Sequence, residues 1–165
     1  MKKIFLLVGI IIAINSCGQG NQRKSPHDTV SAANVSVTYG RPYKNGRDIF
    51  GGLEKFDKVW RLGADEATTI TFNKDVKVDG YDVKAGTYTM FAKIEEDKWT
   101  IILNSEANQW GAFSYEKNKD KDVAKIKVPV HKLDNVVEQL TISFNDANAM
   151  VIEWDKTQVV VPLSF

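Results

Sequence analysis

Hydrophobic and polar residues alternate in short segments along most of this chain. In the first such segment Val35, Val37 and Tyr39 alternate with Ser36 and Thr38, the period of a half-buried strand. Alternation or β-branched runs mark further segments at 67–72, 75–78, 81–83, 88–94, 99–103, 123–130, 140–144, 150–154 and 159–161. About ten short strands separated by turn residues predict an all-β fold, a single antiparallel β-sandwich or flattened barrel.

Three segments add detail to this pattern. Asp79-Gly80 separates two short strands and predicts a two-residue hairpin, because both turn positions favour positive φ. Leu53, Phe56 and Trp60 are spaced i, i+3, i+7, which predicts one short helix near residues 52–61. Residues 133–144 fit both periods, and we expect a turn followed by a strand.

The amino terminus has the pattern of an export signal. Two lysines precede an apolar run from Ile4 to Ile14, and Ser16 stands directly before Cys17, the only cysteine of the chain. A transmembrane helix needs about 20 apolar residues, more than this run supplies. An ordinary secretory signal would leave an unpaired thiol in an oxidising compartment. We therefore predict a signal peptide over residues 1–16 and lipidation of Cys17.

Residues 17–30 are mostly polar and are predicted to form a lipid-anchored flexible tether, with the β-sandwich domain spanning residues 31–165. The predicted location is the bacterial cell envelope. Gly18 after the cysteine favours the outer membrane, and the absence of acids before Arg23-Lys24 favours the periplasmic side. The membrane partner would be contacted through the lipid on Cys17.

Composition limits the classes of partner. Cleavage before Cys17 leaves 149 of the 165 residues, enough for one domain with a sizeable core. Without the two signal lysines, 20 basic residues face 21 acidic ones. This balance argues against nucleic acid and against a polybasic membrane patch, both of which need clustered positive charge. With Cys17 assigned to lipid, no disulfide is expected.

Groups for catalysis or metal binding are scarce. The chain has two histidines: His27 falls in the predicted tether, and His131 follows Pro129-Val130 in an expected loop. No nucleophile motif surrounds Ser114 or Ser143, and no cluster has the spacing of a zinc or calcium site. The sequence predicts no metal site and no cofactor.

The densest polar and aromatic set lies between residues 41 and 68. Arginine presents a planar fork suited to carboxylate, phosphate or sugar hydroxyls, and tryptophan offers a stacking face. The predicted binding residues are Arg41, Arg47, Trp60, Arg61, Glu66 and Trp110.

Three interpretations of this set stay open. The first is a non-catalytic module that binds a small polar ligand, a glycan or an envelope protein. The second is a hydrolase acting on a glycan or other polar substrate through Asp65 or Glu66 as general acid or base. The third is a purely structural protein in which Trp60 and Trp110 are buried and Arg61 pairs with Glu66.

Several motifs carry a family resemblance. They are RPYKNGRDIFGGL (Arg41 to Leu53), KVWRLGADEATT (Lys58 to Thr69), AGTYTMF (Ala85 to Phe91), NQWGAFSY (Asn108 to Tyr115) and WDKTQVVVP (Trp154 to Pro162). In this order they resemble a family of bacterial envelope proteins catalogued as domain of unknown function 2911. The resemblance covers nearly all of the mature chain. The resemblance implies an envelope protein, and it implies no particular activity because the family has no established one.

Overall fold

A computed structural model of the chain describes residues 24–107 and 109–165. The strands of this part are β1 (His27–Ala32), β2 (Val35–Gly40), β3 (Val59–Trp60), β4 (Thr69–Phe72), β5 (Val76–Val78), β6 (Tyr81–Val83), β7 (Gly86–Ile94), β8 (Lys98–Asn104), β9 (Asp122–Phe144) and β10 (Ala149–Ser164). One helical turn, α1 (Tyr115–Asn118), is followed by a 3-10 turn (Lys119–Lys121).

The strands form one antiparallel sheet in the order β1-β2-β4-β7-β8-β9-β10-β5-β6, and β3 pairs with β7. β9 pairs with β8 up to Pro129 and with β10 from Val130 onward. One long strand therefore passes from one half of the sheet to the other. The two halves share one hydrophobic core. The all-β prediction of a sandwich or flattened barrel is confirmed.

Alternation in the first half of β9 places the main core on one face of the sheet, while Phe91 and Ile102 belong to a smaller buried cluster. In β9, Ala124, Ile126 and Val128 are buried, whereas Lys125 and Lys127 between them are exposed. Period-two alternation predicts this result, because successive side chains of a strand point to opposite faces.

An aromatic cluster fills one end of the core. Trp60 stacks on Trp154 with ring centroids 5.8 Å apart, and Trp99 meets Trp60 edge-on at 5.8 Å. Phe50 lies 5.0 Å from Trp99. Such pairs contribute about 0.5–1.5 kcal/mol each beyond the area they bury. Through Phe50 and Trp60, the cluster adjoins the segments that carry the predicted binding residues Arg47 and Arg61.

The predicted hairpin is confirmed. Val78 pairs with Tyr81, so Asp79 and Gly80 are the two turn residues. Their φ angles are 46° and 85°, as a type I′ turn requires.

The helix predicted near residues 52–61 is wrong. The segment forms turns that lead into β3. Gly51 and Asp57 have positive φ, 86° and 60°, which interrupts any helical path. A Cβ on Gly52 would lie 2.2 Å from the backbone oxygen of Asp48. The glycine pair therefore serves a tight chain reversal.

Two further expectations differ from the structure. The turn expected within 133–144 is absent, because β9 continues to Phe144 and bends at a bulge opposite Asp155, which has a φ of 53°. Residues 27–30, assigned to the tether, lie in β1 and pair with β2. The mostly exposed β1 carries little hydrophobic signal. Cys17 and the signal peptide fall outside the described residues.

Candidate functional site

A cleft of about 340 Å³ opens at the aromatic end of the sandwich. Its lining includes Tyr43, Arg47, Leu53, Glu54, Arg61, Asp65 and Trp154. Two of the predicted binding residues, Arg47 and Arg61, therefore share one cleft with an aromatic ring and two acids. The volume is within the range of sites for small molecules.

The segment after β2 forms one wall of the cleft. Lys44 N donates to the Glu138 carbonyl at 2.7 Å, and Leu140 N donates to the Pro42 carbonyl at 3.0 Å. Tyr43 and Gln139 form an isolated antiparallel bridge. These bonds attach the segment to β9, so that Arg47 extends from a fixed backbone.

Arg47 is exposed and is oriented by the backbone of its own loop. Its Nε donates to the Lys44 carbonyl at 2.9 Å, and its Nη2 donates to the Tyr43 carbonyl. These bonds fix the plane of the guanidinium at the edge of the cleft.

Arg61 follows β3 in a loop that is tightly held. Thr68 N donates to the Arg61 carbonyl at 3.1 Å, and the Thr68 hydroxyl donates to the Leu62 carbonyl at 2.8 Å. A Cβ on Gly40 would lie 2.3 Å from the Ala64 oxygen, so β2 supports this loop by direct backbone contact. Arg61 is thus presented on rigid backbone.

The Arg61 side chain has an unsatisfied donor. Among the described residues, its buried Nε has no hydrogen-bond partner. A buried donor without a partner costs about 1–3 kcal/mol. Because this Nε is closed to solvent, a ligand oxygen would reach it only if the side chain turned towards the cleft, and the new hydrogen bond would then recover that free energy.

Glu54 is the partly buried acid of the cleft. Burial raises the pKa of its carboxyl above the usual 4.5, and the opposing charges of Arg61 and Arg47 offset only part of the effect. A carboxyl group with a raised pKa in a cleft is a recognised mark of a functional site.

The buried ring at the base of the cleft is Trp154, not the predicted Trp60. Both rings are buried in the aromatic cluster, with Trp60 2% and Trp154 1% exposed, and of the two it is Trp154 that borders the cleft. Trp154 Nε1 donates to the Glu138 carbonyl at 3.4 Å. Sequence reasoning missed Trp154 because it lies in β10, far along the chain from the arginines.

Arg41 lies outside the cleft lining and joins three elements. Its Nη1 contacts Asp28 Oδ2 at 3.1 Å, its Nε donates to the Leu140 carbonyl at 3.2 Å, and its Nη2 donates to Thr141 Oγ1 at 3.2 Å. With these donors in use between β1, β2 and β9, Arg41 has a structural role.

Glu66 and Trp110 meet each other through their backbones, in an isolated bridge outside the cleft lining. Trp110 is 59% exposed, and Phe113 nearby in the chain is 85% exposed. Among the described residues no ion pair joins Arg61 to Glu66. The Glu66 carboxylate instead lies 3.3 Å from His27 Nε2.

His27, Asp65 and Glu66 form a cluster that the sequence did not predict. One potential ligand atom from each lies within 4.8 Å of the others. The pairing of β1 with β2 brings His27 next to the loop that carries the two acids. No local spacing could have revealed this contact.

A second cleft, of about 300 Å³, is less informative. Its lining includes Phe50 and Trp99 together with Glu95, Lys132 and Asp155. Glu95 pairs with Lys98, and Asp155 pairs with Lys44. Because these acids have cationic partners, the cleft offers less to a ligand.

The fold and the cleft define a β-sandwich protein with an arginine-lined cleft at one end. The chain belongs to the family described as Protein of unknown function (DUF2911), whose model matches residues 21–163. The family resemblance is thereby confirmed. No curated protein and no solved structure matches the chain. In the part of the chain that the structure describes, no helix is long and apolar enough to cross a membrane.

Proposed function

We propose that this protein is a non-catalytic binding module whose cleft takes a small anionic ligand, with a carboxylate or phosphate group against Arg61. The observation that carries the proposal is the buried Nε of Arg61, which has no hydrogen-bond partner among the described residues. An arginine that lines the cleft from a rigid loop, and whose Nε has no partner within the described part of the protein, is suited to bidentate recognition of an oxyanion.

The charge of the cleft supports an anion. Lys24, Arg47 and Arg61 contribute positive charge to the lining, and Glu54 and Asp65 contribute carboxyl groups. Burial raises the pKa of Glu54. As pH falls, its carboxyl therefore takes up a proton, and loses its negative charge, at a higher pH than an ordinary glutamate does. A bound anion would favour the same protonation.

The remaining lining suggests the body of the ligand. Tyr43 and Leu53 are exposed and give the cleft aromatic and apolar surface beside the arginines, above the buried Trp154. A ligand with one acidic group and a ring or short apolar portion, including an acidic sugar of a glycan, matches both the charged and the apolar parts of the lining. A protein partner that inserts an acidic side chain would use the same contacts.

The proposed setting is the cell envelope. The signal-like segment and the position of Cys17 support a lipid anchor, with the domain on the periplasmic side of the outer membrane. Such an anchor would hold the cleft near the membrane.

A thermal-shift screen tests the binding proposal. The purified protein is melted with a panel of small carboxylates, phosphates and acidic sugars, beside their uncharged analogues. We expect anions alone to raise the melting temperature, because a ligand that binds only the native state stabilises it. Arg61→Gln should abolish the shift. Lys127→Gln, which removes an exposed charge of β9, is the control and should keep it.

A hydrolase is the second candidate, and the raised pKa of Glu54 favours it. General acid catalysis uses a carboxyl group whose pKa is raised by its surroundings. Glu54 and Asp65 line the same cleft, whereas the predicted partner Glu66 contacts His27. Turnover of a bound glycan that Glu54→Gln abolishes, with binding retained, would establish hydrolysis over simple binding.

A further inference from the structure

We propose that His27, Asp65 and Glu66 form a binding site for one divalent first-row transition metal ion, with Zn²⁺ as the representative case. The site is separate in its chemistry from anion binding at Arg61 and does not depend on it. It shares only Asp65 with the lining of the cleft.

The distances between the side chains fit a metal ion at their centre. His27 Nε2 lies 3.3 Å from Glu66 Oε2 and 3.6 Å from Asp65 Oδ2. Zinc bonds of about 2.0–2.1 Å at tetrahedral angles separate two ligand atoms by roughly 3.3 Å. An ion placed between the three groups would need only small movements of side chains.

A second observation concerns Asp65. Its Oδ2 is buried and has no hydrogen-bond partner among the described residues. A buried carboxylate oxygen without a hydrogen bond is costly. A cation bonded to Oδ2 would compensate this oxygen, which the 3.6 Å approach of His27 does only weakly.

The backbone holds Asp65 in place for this role. Asp65 has a φ of 64°, a left-handed conformation that is uncommon outside glycine. It lies in the loop of residues 61–68, which Thr68 and the contact between Gly40 and Ala64 support. A rigid donor loop keeps both acids directed at one point.

The donor set selects the kind of ion. Calcium and magnesium prefer oxygen ligands alone, whereas an imidazole nitrogen suits zinc and its neighbours. Two carboxylates and a neutral imidazole carry a charge of −2, which balances a divalent ion. Three protein ligands leave a fourth position open. The side chains are 25%, 33% and 39% exposed, so water or a ligand atom can reach it.

Metal binding would connect two parts of the fold. His27 begins β1, at the edge of the sheet, and the acids belong to the loop between β3 and β4. A bound ion would fasten the first strand to this loop. Zn²⁺ should therefore raise the melting temperature as well as bind.

The test is a zinc titration of the full-length protein, prepared without a histidine tag and stripped with EDTA. Binding is measured by competition with a chromophoric chelator, and stability by thermal melting with and without Zn²⁺. We expect one ion per chain and a rise in melting temperature. His27→Gln should weaken binding at least about tenfold, since even supporting residues of metal sites contribute that much.

The second histidine supplies a matched control. His131 is exposed in β9, and His131→Gln should bind Zn²⁺ as the wild type does. Co²⁺ in place of Zn²⁺ should give the visible absorption of tetrahedral cobalt in the wild type and in His131→Gln only. Equal affinity in the wild type and His27→Gln, or no binding by the wild type, would overturn the proposal.

Melting in EDTA shows whether His27→Gln folds. If it does not, Glu66→Gln carries the same test, with the same expected loss of Zn²⁺ affinity. The anion screen is repeated in EDTA, where the response of Arg61 should persist. The absence of Zn²⁺ binding and the absence of anion binding can thus be told apart.

Discussion

The side-chain hydroxyl of Tyr39 accepts a hydrogen bond from the backbone amide of Ile142 at 2.8 Å. Tyr39 is 2% exposed and lies one residue before the end of β2, while Ile142 lies in the second half of β9. The bond joins two strands that are not neighbours in the sheet. It fixes the chain immediately before the segment that carries Arg41 and Arg47, and so contributes to the wall of the cleft.

Tyr39→Phe should therefore destabilise the fold. The Ile142 amide would remain buried without its partner, at a cost of about 1–3 kcal/mol. Denaturant unfolding measures the loss. Tyr81→Phe, at a residue that is 51% exposed in β6, is the control and should change stability little. Equal effects of the two substitutions would show that the Tyr39 hydroxyl does not matter.

Glu54 should make stability depend on pH. Because its pKa is raised in the folded state, the native protein holds this proton more tightly than the unfolded chain does. The contribution of Glu54 is present below the usual pKa of 4.5 and is lost as pH rises through the folded value.

Glu54→Gln removes this titration. The free energy of unfolding of the variant, relative to the wild type, should rise with pH from about 4.5 upward and then level off. Urea denaturation at a series of pH values is the measurement. A difference that is constant across the series, or that shrinks as pH rises, would contradict burial as the dominant effect on Glu54.

The β5–β6 turn allows a test of backbone strain alone. Gly80 has a φ of 85°, and a Cβ there would meet no atom within 4 Å. Gly80→Val should cost about 1–3 kcal/mol through backbone strain. Gly80→Asn should cost less, because asparagine tolerates the left-handed region. Thermal melting of both variants decides the matter, and equal melting temperatures would mean that conformation does not control this turn.

Lipidation of Cys17 remains a prediction from the sequence. Cys17→Ser should lose partitioning into the detergent phase and keep the same β-sheet circular dichroism. Intact mass of the native protein should correspond to a chain that begins at Cys17 and carries acyl groups. A native amino terminus at another residue, without lipid, would refute the anchor.

Local signals in the sequence were enough for much of the fold. Alternation in β9 predicts the buried Ala124 and Ile126, and Asp79-Gly80 predicts its own turn, because each depends on residues close in the chain. The helix near 52–61 failed for an equally local reason. The apolar spacing of Leu53 and Phe56 was outweighed by backbone conformation at Gly51 and Asp57.

The site was predictable only in part. Arg47 and Arg61 could be predicted because both lie in one short polar and aromatic stretch of the sequence. Trp154 and His27 join the site region through strand pairing across long stretches of chain. Whether the donors of an arginine are already in use depends on the tertiary structure. Arg41 and Arg61 therefore look alike in the sequence and differ in the fold.

The central claim is that Arg61 binds an anion in the cleft. The most direct measurement is native mass spectrometry of the protein purified from its own host, as wild type, Arg61→Gln and Lys127→Gln. The wild type and Lys127→Gln should carry the same small acidic molecule, and Arg61→Gln should lack it. The same bound mass in all three proteins, or no bound molecule in any of them, would contradict the claim.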